Sequence, residues 1–174
     1  MAIFKEYDWR TMGDNTWKLI GDEWMLLTAG GLASWNAMTA SWGGLGHLWN
    51  MDVVFAFVRP TRFTYAFMEK SEGFTVSFFG PDRRDVLKVC GATSGRETDK
   101  AAAAHITPRG FAASGVPERV SFEEARLVLS CRKVHAQDLD PEGFVDPGIS
   151  AHYAARDWHR LYVGAIEAAW IGES

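Results

Sequence analysis

The stretch Trp35-Asn36-Ala37-Met38-Thr39-Ala40-Ser41-Trp42-Gly43-Gly44 holds small residues between two tryptophans and carries no charge. The glycines at its end allow a backbone to come close to a ligand. Backbone amides here, together with three polar side chains, match the donor and acceptor edge of a flat heterocycle: Asn36, Thr39 and Ser41. Two apolar side chains suit the opposite end of such a ring: Met38 and Trp42. A glycine-rich strand and turn with core tryptophans is the alternative interpretation.

A second motif, Arg59-Pro60-Thr61-Arg62-Phe63-Thr64, follows an apolar run over Val53–Val58 that is rich in β-branched and aromatic residues. Such a run predicts a buried strand, and the proline ends it because proline cannot donate to a β-ladder. We expect Thr61 to cap a helix from Arg62 to about Lys70. Two residues four apart are expected on the buried side of this helix: Phe63 and Phe67.

The start of this helix would direct several donors at one point, namely backbone N–H groups, two hydroxyls and one or both guanidiniums. The side chains concerned are Thr61, Thr64, Arg59 and Arg62. A helix N-terminus with such donors binds anions, and arginine matches phosphate oxygens with two parallel hydrogen bonds. An ordinary capped helix with solvated arginines is the alternative. Taken together, the two motifs predict a mononucleotide cofactor, FMN.

Length and composition predict one globular domain over residues 1–174. Apolar residues make up 47% of the chain and charged residues 23%, which is ordinary for such a domain. The formal net charge of −4 argues against nucleic acid as a partner, because no basic excess is present to neutralise phosphates. Eight tryptophans and eleven phenylalanines fit a site for a flat ligand, a subunit interface or a barrel core.

The cysteines, the N-terminal segment and the long uncharged stretch together predict where in the cell the protein is found. Cys90 and Cys131 have no C-x-x-C spacing and form no disulfide framework, so we expect a reducing cytoplasm. Met1–Arg10 has no apolar signal-peptide core. Trp24–Met51 lacks charged residues, but glycines and polar residues interrupt it, so no membrane span is predicted.

Hydrophobic periodicity predicts many strands and a few short helices. The expected strands cover residues 24–28, 32–38, 53–58, 73–78 and 161–170, with a long strand or a hairpin within 116–134. Asp82 with Asp85 is expected to cap a short helix through Val89 that Gly91 closes. Ala101–Ala104 is a helical patch. This pattern favours a barrel over a parallel βαβ sheet.

The order and wording of the motifs resemble one known family. Besides the two motifs above, the matching segments are Phe74–Phe79, Cys90–Lys100, Ala136–Pro141 and His159–Gly164. They resemble the flavin reductase-like family of FMN-binding split β-barrels, most closely its flavoredoxin-like branch, over nearly the whole chain. The resemblance implies a mainly β fold, a split β-barrel of Greek-key type with a few short α-helices. It also implies FMN as cofactor and a homodimer with the flavin near the two-fold interface.

The resemblance also implies individual site residues. It puts Cys90–Lys100 near the flavin, where Lys100 close to the pyrimidine carbonyl would stabilise the anionic reduced ring, and Arg96 is either near it or a surface charge. It puts His159 beside the flavin, in contact with the ring or with an incoming nicotinamide. The candidate cofactor-binding residues are Asn36, Met38, Thr39, Ala40, Ser41, Trp42, Arg59, Thr61, Arg62, Thr64, Ser94, Gly95, Lys100 and His159.

Two classes of function stay open. The first is an NAD(P)H-dependent flavin reductase, which transfers hydride to FMN and passes electrons to an acceptor. The second is a flavoredoxin-like electron carrier or FMN-binding protein that a protein partner reduces. An oxidase of the pyridoxamine-phosphate type matches the motifs less well. No catalytic residue is assigned, since the cofactor carries out this chemistry. The scattered histidines predict no metal site.

Overall fold

The computed structural model describes residues 2–173, which form ten strands and three α-helices. The strands are β1 (Phe4–Glu6), β2 (Met25–Gly31), β3 (Ser34–Ala40), β4 (Gly43–Leu48), β5 (Met51–Val58), β6 (Gly73–Phe78), β7 (Pro108–Ala113), β8 (Val116–Phe122), β9 (Leu127–Asp138) and β10 (Arg160–Gly172). The helices are α1 (Phe63–Lys70), α2 (Arg84–Ala92) and α3 (Lys100–Ala104). Short helical segments lie at Trp9–Thr11, Lys18–Asp22, Pro81–Arg83, Pro141–Gly143 and Pro147–Tyr153.

Eight strands form one antiparallel sheet in the order β3-β2-β6-β9-β10-β5-β4, with β1 added to the far end of β10. Within the described chain the sheet does not close, and β3 and β4 are its edge strands. The strands β7 and β8 form a separate hairpin. The prediction of a mainly β fold with a few short helices is therefore confirmed.

The large sheet buries both of its faces. On β2, Met25 and Leu27 belong to one apolar cluster and Leu26 to the other, and on β9 the buried Leu129 and Val128 are divided in the same way. This division follows from the alternation of side chains along a strand. The helix α1 packs on the first face, whereas α2, α3 and the β7–β8 hairpin cover the second.

Several strand predictions hold closely and others shift by a few residues. The strand predicted over 73–78 is β6, and the final strand extends from Arg160 to Gly172. The two strands predicted over 24–28 and 32–38 begin at Met25 and Ser34. For residues 116–134 the prediction allowed a long strand or a hairpin. The long strand is present as β9, which begins at Leu127. The hairpin is not, because β8 pairs with β7 while β9 lies between β6 and β10.

Both predicted helix caps are wrong. The helix α1 begins at Phe63, with an extended Arg62 at the N-cap position and no side-chain cap bond. A turn closed by the Arg62 N–H and the Arg59 carbonyl, 3.0 Å apart, precedes the helix. Thr61 lies within this turn and therefore does not cap α1. The fully buried residues of α1 are Thr64 and Met68, whereas Phe63 and Phe67 are half-buried and Phe67 packs against the first apolar cluster.

The second predicted cap fails for a similar reason. A single 3₁₀ turn over Pro81–Arg83 precedes α2, so the N-cap is Arg83 and neither Asp82 nor Asp85 makes a cap bond. The glycine expected to close the helix lies inside it, and α2 ends at Ala92.

No helix among residues 2–173 is both long and apolar enough to cross a bilayer.

Candidate functional site

The predicted site residues come from four segments of the chain that lie close together in the fold. They are the end of β3, the turn from β5 into α1, the connection from α2 to α3, and the start of β10. All fourteen candidate residues line two hollows, which share Met38 and Arg62 and therefore adjoin. The structure thus gathers residues that are up to 123 positions apart into one continuous depression.

The first, which we name the cationic hollow, has a volume of about 180 Å³. Its lining is Asn36, Met38, Thr61, Arg62, Phe63, Thr64, Ala92, Thr93, Ser94, Gly95, Arg96 and Lys100. Three of these side chains are cationic, four carry hydroxyls and none is a carboxylate. Such a donor set suits an anion, because arginine, lysine and hydroxyl groups all donate to phosphate oxygens.

The second, which we name the aromatic hollow, has a volume of about 230 Å³. Its lining is Met38, Thr39, Ala40, Ser41, Trp42, Phe57, Arg59, Arg62 and His159. The Trp42 and His159 rings lie 5.2 Å apart, and the Phe57 ring lies 6.4 Å from the imidazole. The end of an edge strand and aromatic rings thus bound this hollow, which is an arrangement suited to a flat ligand.

Arg62 belongs to both hollows. Its Nη2 donates to the Gly91 carbonyl at 2.9 Å, which fixes the guanidinium while leaving other N–H groups for a ligand. Burial lowers the pKa of Arg62 and the neighbouring Arg59 lowers it further. An anion would relieve this repulsion between two cations, so the position of Arg62 favours a negatively charged ligand group.

Arg59 lies in the aromatic hollow and not with Thr61 and Thr64. Its Nη1 donates to Asp157 at 2.7 Å and its Nη2 to the His152 carbonyl at 2.9 Å. The guanidinium also lies 5.0 Å from the centre of the Tyr153 ring. The prediction allowed one or both guanidiniums at the anion site, and the structure places Arg62, but not Arg59, beside the two threonines.

A buried hydrogen bond joins the first two sequence motifs. The Asn36 side-chain amide donates to the Thr64 hydroxyl at 2.7 Å, and both residues are buried. Gly95 packs so closely against Asn36 that a Cβ there would overlap the side-chain oxygen Oδ1 of Asn36. The glycine is therefore required by close packing at the wall of the cationic hollow.

Lys100 occupies the cationic hollow and not the aromatic one. It is only 5% exposed, and its Nζ donates to the Ala37 carbonyl at 2.7 Å and to the Cys90 carbonyl at 2.9 Å. Burial lowers the pKa of this amine. Lys100 therefore ties β3 to the end of α2 in addition to contributing positive charge to the hollow.

His159 is 7% exposed, and its Nδ1 lies 2.8 Å from the Tyr153 hydroxyl. Burial, followed by the nearby Arg59, lowers the pKa of His159 to about 4. The imidazole is therefore neutral at neutral pH. The hydrogen bond to Arg59 holds the pKa of Asp157 below its ordinary value, so this carboxylate is charged.

The remaining candidates divide into anchored and accessible groups. Thr39 donates its hydroxyl to the Leu87 carbonyl and so anchors β3 to α2. Ser41 and Thr61 are exposed, and Trp42 is 44% exposed at the rim of the aromatic hollow. Ser94 accepts from the Arg96 N–H at 3.3 Å, which shapes the wall formed by the α2–α3 connection.

Sequence reasoning missed several lining or supporting residues. Among those lining the hollows are Phe57, Phe63, Ala92 and Thr93. The supporting residues Tyr153 and Asp157 contact His159 and Arg59 respectively. Phe63 carried a usable signal, since it belongs to the quoted arginine–threonine motif. Tyr153 carried none, because its partner lies in another element.

A third and larger hollow shares Ser41 and Trp42 with the aromatic hollow. It has a volume of about 470 Å³ and no ionisable lining side chain. It is formed by Thr16, Trp17, Ile20, Gly21, Ser41, Trp42, Gly43, Gly44 and Leu45. Trp17 is 82% exposed at its edge.

In residues 2–173, no group of three or more histidine, cysteine or acidic side chains is arranged to hold a metal ion.

Comparison with known proteins identifies the family. The model of the flavin reductase-like domain matches residues 20–174. The chain belongs to the flavin reductase-like family. A search of curated proteins gave no match.

Several solved structures share the fold of this chain. An FMN-binding domain of a flavin reductase-like enzyme from Shewanella baltica is 14% identical with a TM-score of 0.65, covering 98% of this chain and 78% of that one. Flavoredoxin from Methanosarcina acetivorans is 21% identical with a TM-score of 0.63, covering 87% and 69%. Nitrilotriacetate monooxygenase component B from Bacillus cereus is 15% identical with a TM-score of 0.66, covering 89% and 74%.

Proposed function

We propose that this flavin reductase-like chain binds FMN across the two adjoining hollows and acts as an NAD(P)H-dependent flavin reductase. The observation that carries the proposal is the division of the depression into two parts. A cationic part without carboxylates continues, through Met38 and Arg62, into an aromatic part. FMN has the same division, with a phosphate at one end and a flat ring at the other. Family membership and the FMN-binding neighbours support the proposal.

The cationic hollow is the proposed phosphate site. Arg62, Thr61 and Ser94 supply a guanidinium and two hydroxyls there, and the buried Lys100 in the lining adds a positive charge. No acidic side chain lines this hollow, so no lining group repels a dianion. The two hollows, at about 180 and 230 Å³, together reach the range of roughly 300–1,000 Å³ that small-molecule sites occupy.

The aromatic hollow is the proposed ring site. Backbone and side-chain groups of Thr39 and Ser41 would meet the polar edge of the ring, and Trp42 would cover its apolar end. His159 supplies a neutral imidazole and Arg59 a cation that Asp157 partly balances. When bound, FMN supplies the hydride and electron-transfer chemistry, while these residues bind and orient it and limit the access of water.

Anaerobic mixing of FMN-loaded protein with NADH and, separately, with NADPH tests the reductase assignment. We expect the oxidised-flavin absorbance to disappear rapidly with at least one of the two. Free FMN at the same concentration is the control for uncatalysed reduction. Bound flavin that stays oxidised with both nucleotides, yet is reduced by dithionite, contradicts the reductase assignment. That result supports the second candidate, an electron carrier, which two flavoredoxin neighbours favour.

We also propose a homodimer in which the large uncharged hollow is covered by the second protomer. The exposed Trp17, the half-exposed Trp42 and the edge strand β4 (Gly43–Leu48) lie together there. A partner seated on this surface would lie beside the aromatic hollow, since Trp42 borders both. Light scattering should give a dimer, and Trp17→Glu should dissociate it while Val145→Glu, at a residue 98% exposed, should not. A wild-type monomer would remove the dimer and leave the FMN proposal intact.

A further inference from the structure

The short helical segment Pro147–Tyr153 ends in a tyrosine that does not line the aromatic hollow but makes a hydrogen bond with His159, which does. Tyr153 is 5% exposed, and its hydroxyl lies 2.8 Å from Nδ1 of His159. Its ring stacks on Phe144 at 5.7 Å, lies 4.8 Å from the Trp158 ring and has the Arg59 guanidinium over one face. These neighbours hold the Tyr153 ring on several sides, so its hydroxyl is fixed against the imidazole.

The direction of this hydrogen bond follows from the partners available. Among the described residues the Tyr153 hydroxyl has no partner besides His159, and burial raises the pKa of this phenol, so it retains its proton. If Nδ1 carried the imidazole proton, the phenolic O–H would have no acceptor in a buried position, which is unfavourable. The hydroxyl therefore donates, Nδ1 accepts, and the single proton of the neutral imidazole resides on Nε2.

The nearest carboxylate does not compete for the imidazole. Histidines in functional sites are commonly oriented by an acidic side chain, and Asp157 lies two residues away in sequence. Asp157 is bonded to Arg59 at 2.7 Å instead, and it makes no hydrogen bond to His159. Tyr153 is thus the residue that orients this histidine, while the Arg59–Asp157 pair flanks it.

We propose that Tyr153 is a positioning residue that fixes His159 as the Nε2–H tautomer, so that the imidazole offers a hydrogen-bond donor to the ligand in the aromatic hollow. His159 lines that hollow, and the described residues supply no partner for its Nε2. The ligand group that this donor suits is an acceptor atom of the flavin or of the nicotinamide carboxamide. The role of the donor rests on the proposed function, but the tautomer is a property of the chain alone.

NMR of the ¹⁵N-labelled, flavin-free chain tests the tautomer directly, with the His159 imidazole signals assigned by their loss in His159→Gln. We expect Nε2 to be protonated and Nδ1 to have the shift of a nitrogen that accepts a hydrogen bond. An Nδ1–H imidazole in the wild-type chain overturns the proposal. Because no flavin is present, this result does not depend on whether the chain binds FMN.

Tyr153→Phe gives a second test whose sign distinguishes the two hydrogen-bond directions. A donor to Nδ1 stabilises only the neutral imidazole, so its removal should raise the His159 titration midpoint by about one pH unit. If Nδ1–H were the donor, the same removal would lower the midpoint. Phe144→Leu loosens the packing of Tyr153 but keeps its hydroxyl, so the midpoint should stay near the wild-type value. A lowered or unchanged midpoint in Tyr153→Phe, or an equal rise in both variants, overturns the proposal.

Discussion

Replacing Arg62 by alanine should separate FMN from riboflavin, which has the same ring and lacks the phosphate. Arg62 is half-buried, touches both hollows and already donates Nη2 to the Gly91 carbonyl at 2.9 Å. We therefore count one charge-assisted contact between its free N–H groups and the phosphate. Such a contact contributes roughly 1.5–3 kcal/mol, which corresponds to a weakening of FMN binding by about 10- to 150-fold.

The assay is a fluorescence titration of each flavin into wild-type chain and into Arg62→Ala. The dissociation constant for riboflavin should change by less than about twofold, since a factor of two is below 0.5 kcal/mol. Arg83→Ala is the matched control, because Arg83 also donates to a backbone carbonyl, that of His105 at 2.8 Å, and lies outside both hollows. Arg62→Lys keeps the charge and should recover part of the lost affinity.

The result that would refute this reasoning is an equal weakening of both flavins by Arg62→Ala with no effect of Arg83→Ala. In that case Arg62 supports the ring or the walls of the site, and the phosphate lies elsewhere. Weakening by Arg83→Ala to the same degree would indicate a general loss of folded protein instead. Unfolding curves for each variant distinguish these outcomes.

Three further predictions concern the walls of the site. The pKa of His159 is about 4 in the folded chain, against an ordinary value of 6.5. Between pH 6.5 and pH 4 the unfolded chain therefore binds a proton that the folded chain does not. The free energy of unfolding should fall as the pH drops through this range. His159→Gln should flatten that dependence, as measured by urea unfolding at pH 7 and pH 4.5. Lys100→Met removes the partner of two carbonyls and should lower the free energy of unfolding by about 1–3 kcal/mol; an unchanged urea midpoint contradicts its bridging role. Gly95→Ala forces Asn36 to move and should lower the free energy of unfolding by about 1–3 kcal/mol. Gly13→Ala is the control, because a Cβ at Gly13 would meet no other atom, and it should be tolerated. Equal urea midpoints for the two variants contradict the close packing at Gly95.

Local sequence signals predicted the strands well, because successive side chains of a strand point to opposite faces of the sheet and β-branched and aromatic residues favour strands. The sequence of Gly73–Phe78 alternates apolar and polar residues, and the strand has the predicted bounds. Its polar residues Thr75 and Ser77 are nevertheless buried, and their hydroxyls make hydrogen bonds with Val120 and Ser121 of β8. Helix starts were predicted less well. In both errors a proline-containing turn precedes the helix and consumes the expected cap residue, Thr61 in one case and Asp82 in the other. Capping propensity alone could not show which turn wins.

The position of individual side chains within the site could not be predicted from the sequence, because it depends on partners that are distant along the chain. Arg59 and Thr61 are neighbours in sequence, yet Asp157, 98 residues after Arg59, draws that guanidinium into the aromatic hollow. Lys100 was expected beside the ring, and the carbonyls of Ala37 and Cys90 hold it in the cationic hollow. The sequence motifs predicted which residues form the site. Tertiary contacts determine which of the two hollows each residue lines.

The most direct test of the FMN proposal is the titration of FMN and of riboflavin into the purified, flavin-free wild-type chain, followed by flavin fluorescence. We predict saturable quenching with one FMN per chain. Riboflavin should bind more weakly by at least about tenfold, the contribution of one charge-assisted phosphate contact. Absence of quenching by FMN contradicts the proposal that the two hollows form a flavin site. Equal affinity for the two flavins contradicts the assignment of the cationic hollow to the phosphate.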